Sequence, residues 1–196
     1  MGVSRTDFLS RWHQRLLTRR QLLIHAAGGS LTALLPLPAF TASNHHTDST
    51  VPDPWPVIDT VQQHLFPAEQ HAPGAHEINA LAYLQFVVSD TTLDQDERAF
   101  ITHGVKWLQG ISQQTYQQSF LKLDMQQAEN VLQRIARSDA GENWLSTLML
   151  YLTEALLTDP VYGGNTNQIG WKWLQHTPGF PRPPADKTFP YLLAKK

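Results

Sequence analysis

Apolar residues recur every three or four positions through most of the chain after residue 53, the spacing of one buried helix face. Ile58, Val61 and Leu65 line the first such face. Asp53-Pro54 ahead of them predicts a helix start, with a side-chain cap and a proline at the first helical position, and Phe66-Pro67 predicts its stop. After the turn signal Pro73-Gly74 a second helix is expected over 76–88, with Ile78, Leu81, Ala82, Leu84 and Val88 available to the core. Asp94 and Glu97 have the spacing of a capping box and precede Phe100, Ile101, Val105, Leu108 and Ile111, again on one face. The Gln-rich stretch 113–118 reads as the wet end of that third helix or as a linker turn. Asp124 is positioned to cap a fourth helix carrying Ala128, Val131, Leu132 and Ile135, which Asp139-Ala140-Gly141 is expected to break. The most apolar helix, 142–157, brings Trp144, Leu145, Leu148, Met149, Leu152 and Leu156 and is expected at the centre of the bundle. Trp107 and Trp144 both fall at core spacing and read as packing residues.

No stretch alternates apolar and polar residues with β-branched enrichment, so a sheet is not expected. The fold class predicted is all-α: a single irregular bundle of about five helices after an N-terminal signal helix, with a long C-terminal Gly/Pro-rich loop segment. The expected organisation is a signal segment over 1–42, a polar linker over 43–53 and a helical domain over 54–196.

The signal reading rests on a basic region (Arg11, Arg15, Arg19, Arg20) leading into an apolar stretch that runs to Leu35, then Pro36, Pro38 and small residues at 41–43. Thr18-Arg19-Arg20-Gln21-Leu22-Leu23 resembles the twin-arginine motif, in which Ser or Thr precedes two arginines and apolar residues follow. The same residues could form the basic flank of a membrane anchor or the start of a soluble amphipathic helix. A spanning helix wants about 20 apolar residues, whereas His25, Gly28, Gly29, Pro36 and Pro38 interrupt this run. With Phe40 three positions before a cut after Ala42, the cleavage site is poor, which is consistent with late cleavage or retention as an anchor. The twin-arginine (Tat) machinery carries proteins already folded, usually around a cofactor, so export by that route asks where a cofactor would sit.

Composition narrows the answer. The formal net charge of -2 conceals a split: residues 1–42 hold five arginines against Asp7, and the rest holds ten basic against sixteen acidic residues. An acidic body argues against nucleic-acid binding. The absence of cysteine excludes disulfides, thiolate-held metals and clusters, c-type haem attachment and a thiol nucleophile in this chain. Gly-x-Ser-x-Gly, a Walker loop, Gly-x-Gly-x-x-Gly, His-Glu-x-x-His and Glu-x-x-His repeats are also absent. The nine histidines read mainly as surface and loop residues, with His71, His76 and Glu77 as the one alternative metal site, which would make the chain a stand-alone exported metal-binding protein or enzyme. No catalytic, cofactor-binding or metal residue is otherwise assigned.

The densest local signal lies near the C-terminus, in Asp159-Pro160-Val161-Tyr162-Gly163-Gly164-Asn165 and Gly170-Trp171. Pro160 ends the helix before it and the glycines permit positive φ or close approach. Two readings are open: the loop presents Tyr162 and Trp171 to a partner, as interfaces favour, or it folds back over its own bundle. The candidate interface set is Asp159, Pro160, Tyr162, Gly163, Gly164, Asn165, Gly170 and Trp171.

These residues carry a resemblance. The Thr18-Arg19-Arg20 signal, Leu65-Phe66-Pro67 followed by Pro73-Gly74-Ala75-His76 and Tyr83-Leu84, and the Asp159 to Trp171 segment together resemble the small subunit (subunit 3, or gamma) of membrane-bound gluconate 2-dehydrogenase and related sugar and polyol dehydrogenases. The resemblance implies a non-catalytic partner of a large FAD-dependent subunit of the glucose-methanol-choline (GMC) type, often accompanied by a multihaem cytochrome c. It implies that the FAD belongs to a passenger without its own signal, that the Tat translocon exports the pair, and that the complex is periplasmic and held at the inner membrane. Some relatives use cysteines in the small subunit, which this chain does not have.

Overall fold

In a computed structural model, the structure describes residues 53–188 and Tyr191. The twin-arginine residues Thr18, Arg19, Arg20, Leu22 and Leu23, the signal segment and most of the linker lie outside the described residues. Among the described residues six α-helices follow one another: α1 Trp55–Leu65, α2 Ala80–Ser89, α3 Gln95–Tyr116, α4 Met125–Ile135, α5 Asp139–Leu157 and the short α6 Ile169–Trp173. There is no strand among the described residues, only a single bridge between Glu69 and Ala72 in the α1–α2 loop. None of the helices described is long and apolar enough to cross a membrane.

α1 buries Val57, Ile58, Val61, Gln62 and Leu65 along one face. Its N-cap is Pro54, one residue later than expected, and Asp53 still accepts the Trp55 N–H (3.1 Å). After Phe66-Pro67 the chain loops out and is drawn back where the Ala75 N–H donates to the Phe66 carbonyl (2.7 Å).

The second helix begins at Ala80, four residues later than the periodicity predicts. Residues 76–79 form hydrogen-bonded turns that end on Asn79 in the left-handed region (φ 57°), a conformation Asn tolerates better than most residues. The Asn79 side chain donates to the Gly163 carbonyl (2.8 Å), so a long-range bond sets this helix boundary.

α3 starts as expected, with Asp94 accepting from Asp96 N (2.8 Å) and Glu97 N (3.3 Å). The reciprocal half of the capping box is not made, because Glu97 turns to α5 and accepts from the Tyr151 hydroxyl (2.7 Å). The helix then runs through most of the Gln-rich stretch and ends where Gln117 turns left-handed (φ 55°). α4 has a complete capping box: Asp124 accepts from Gln127 N (2.8 Å) and Gln127 accepts from Asp124 N (3.2 Å).

Asp139-Ala140-Gly141 does not break the chain but opens α5. The break falls earlier, at Arg137-Ser138, where Ser138 caps the Gly141 N–H (3.1 Å) and Asp139 and Glu142 place negative charge at the helix start. α5 is central, packing on α1, α2, α3 and α6, while α3 packs on α4 and α5. Trp144 is fully buried and its indole N–H donates to the Ile101 carbonyl (2.9 Å). Gly104 makes that fit: a Cβ there would run into the Trp144 ring, so α3 and α5 meet at a distance only glycine allows. Trp107 is the exception to its spacing. It is 39% exposed and sits edge-on to Phe100 (5.7 Å) on the same helix.

Candidate interaction surface

The eight candidate interface residues come together on one flank of α5. Asp159 caps the 3-10 turn Pro160–Tyr162 by accepting the Val161 N–H (3.0 Å). Gly163 leaves that turn at φ 95°, which a side chain would strain. Asn165 follows, fully buried and left-handed (φ 49°). Its backbone N–H donates to the Ile78 carbonyl (2.8 Å), its side-chain amide donates to the Thr158 carbonyl (3.0 Å) and its Oδ1 accepts from Gly170 N (2.8 Å). One side chain thus ties the end of α5 to the start of α6, and its backbone ties both to the α1–α2 loop. Trp171 is 5% exposed and donates through Nε1 to the Leu157 carbonyl (2.8 Å).

The loop therefore folds back over its own bundle: Gly164, Asn165, Gly170 and Trp171 are buried within the chain, and Pro160, Tyr162 and Gly163 remain partly exposed beside Asp159. The Tyr162 ring rests near Phe86 of α2 (6.0 Å). Arg182, which the sequence reading did not single out, returns from the Pro-rich end and forms a two-pronged pair with Asp159, Nε to Oδ2 at 2.7 Å and Nη2 to Oδ1 at 2.8 Å. Its guanidinium also lies over the Trp171 ring (5.4 Å). The Arg182 hydrogen bonds, helped by the Val161 N–H, hold the Asp159 carboxyl below the usual carboxylate range despite partial burial.

A second set of polar residues joins α2, α3 and α5. The Tyr83 hydroxyl donates to Glu154 Oε2 (3.0 Å) and the Tyr151 hydroxyl to Glu97 Oε1. Burial, reinforced by these carboxylates, pushes both phenols well above their ordinary range, so they remain protonated donors. Sequence reasoning missed this group, whose signal would have been Tyr151 and Glu154 one turn apart on the same face of α5.

The alternative metal site does not form. His71 and His76 are exposed, Glu77 accepts the Gly74 N–H (3.0 Å), and among the described residues no three His, Asp or Glu side chains converge as metal ligands.

The fold and this flank define an all-α domain whose C-terminal loop is clamped back onto its central helix. The profile of the family described as gluconate 2-dehydrogenase subunit 3 matches residues 52–179, about two thirds of the chain, and the chain belongs to that family. The family is one of subunits of a multi-subunit dehydrogenase, which implies partner subunits. No curated protein and no solved structure matches the chain.

Proposed function

We propose that this chain is the non-catalytic small subunit of an exported FAD-dependent, GMC-type gluconate or sugar dehydrogenase, and that it assists the maturation, stability and Tat co-export of the flavoprotein subunit. The observation that carries the reading is the family match over residues 52–179. The Thr18–Leu23 twin-arginine pattern supports the export part, and the absence of cysteine and of recognisable cofactor motifs supports assigning the FAD to the large subunit. A cytochrome c would be a third subunit, and the assembled complex would sit at the periplasmic face of the inner membrane. The clamped loop carrying Asp159, Pro160, Tyr162 and Gly163 is the proposed contact surface; Gly164, Asn165, Gly170 and Trp171 hold its shape from beneath. A preorganised surface binds at lower entropic cost.

Binding that favours the folded flavoprotein would stabilise it by mass action. The test is to express the flavoprotein subunit with and without this chain and to measure bound FAD and periplasmic dehydrogenase activity. Both are expected to fall at least tenfold without the small subunit. Equal FAD content and equal periplasmic activity would refute the escort role.

A further inference from the structure

Between α2 and α5 an open cleft of about 400 Å³ adjoins the clamped loop. Its walls include the rings of Tyr83, Phe86, Tyr151 and Tyr162, with the carboxylates of Asp90 and Glu154 among them. Aromatic faces carry negative partial charge, so rings and carboxylates together favour a cation. Phosphate and carboxylate ligands are disfavoured by the same sign. The tyrosine hydroxyls orient the acids without neutralising them, Tyr83 on Glu154 and Tyr151 on Glu97 behind it. Among the described residues no lysine or arginine pairs with Glu97 or Glu154. Asp90 is already engaged: its carboxylate accepts from the Thr92 N–H and hydroxyl (2.8 Å each) and feels the charge of Arg98, which donates to the Asp90 backbone carbonyl (2.7 Å). Glu154 is therefore the carboxylate left to a cation. A bare metal ion lacks the converging ligands it would need.

A planar guanidinium suits what remains, since it stacks on aromatic faces and pairs with a carboxylate at once. We infer that this cleft seats an arginine side chain presented by the partner subunit, its guanidinium between the tyrosine rings and paired with Glu154. The inference rests on the subunit reading above. A macromolecular source is favoured because the cleft is open and shares Tyr162 with the proposed contact loop, and because the chain beyond residue 42 is acidic. Arginine and tyrosine are also the side chains that dominate binding at protein interfaces.

The experiment uses the full chain, tagged and co-expressed with its flavoprotein subunit, and measures the dissociation constant of the purified complex. Glu154→Gln keeps the shape and the Tyr83 hydrogen bond while removing the charge. It is expected to weaken the complex at least tenfold at an unchanged melting temperature, with Asp90→Asn weakening it less. Millimolar N-acetyl-arginine amide is expected to compete with the partner, and the neutral isostere N-acetyl-citrulline amide is not. If the wild-type complex never forms, the subunit reading falls and takes this inference with it. If the complex forms and E154Q and the double variant E154Q/D90N bind like wild type, or if citrulline competes as well as arginine, only the cleft assignment falls. Micromolar binding of the free arginine derivative to this chain alone would make the site a small-molecule one and would also overturn the assignment.

Discussion

Gln62 lies fully buried in α1, and neither its Oε1 nor its Nε2 finds a hydrogen-bond partner among the described residues. An amide withdrawn from water in this way costs about 1–3 kcal/mol. Methionine has similar length and flexibility and no polar atom to satisfy. Gln62→Met is therefore expected to raise the melting temperature, by roughly 2–8 °C on the scale that applies to domains of this size, and a calorimetric scan of both proteins checks it. A melting point equal to or below wild type would mean that the amide is satisfied after all. Single residues also show where local reasoning stops. Trp107 and Trp144 occupy equivalent positions in the hydrophobic pattern, yet one is 39% exposed and the other fully buried. Periodicity identifies a face but not the neighbour that covers it.

At the scale of elements, what was legible in the sequence was what is decided within a few residues. Asp124 and Gln127 cap α4 three positions apart, and the core positions of α4 are those the spacing implies. The start of α2 was not legible, because Asn79 is engaged by a carbonyl 84 residues away. The Tyr–Glu pairs span 71 and 54 residues, so beyond the one-turn spacing of Tyr151 and Glu154 the pairing itself has no local signature. The same distinction governs the C-terminal arm, whose attachment depends on Asp159 and Arg182, 23 residues apart. Because the Asp159 carboxyl is held below its unfolded value, its contribution to stability is fully present above pH about 4. It is lost as the pH falls through the lowered folded-state value. Asp159→Asn should lower the melting temperature by roughly 2–4 °C at pH 7, as befits a partly screened pair, and the gap between variant and wild type should narrow as the pH falls through the lowered folded-state value. A gap that does not narrow at all on acidification would show that the carboxylate charge is not what pins the arm.

On the scale of the whole molecule, charge is unevenly distributed: five arginines and one acid in residues 1–42, ten basic and sixteen acidic residues after them. The two parts are proposed to serve different readers, the translocon for the first and the flavoprotein for the second. Replacing Arg19 and Arg20 together with lysine is expected to leave the circular dichroism and melting point of the helical domain unchanged. In the same cells, periplasmic dehydrogenase activity should fall at least tenfold and flavoprotein should accumulate in the cytoplasm. Unchanged periplasmic activity in that variant would separate the chain from the export of its partner.

The Asn165 clamp bears on the order in which the chain is made. The Ile78 carbonyl and the Asn79 side chain meet their partners only at residues 163–165. A nascent chain carrying the first four described helices, and even the whole of α5, still leaves the α1–α2 corner without those bonds. A corner made early is thus finished only after residues 163–165 exist, and contacts of this sequence separation slow folding. Completion of this fold is, in effect, a report that synthesis has passed the clamp.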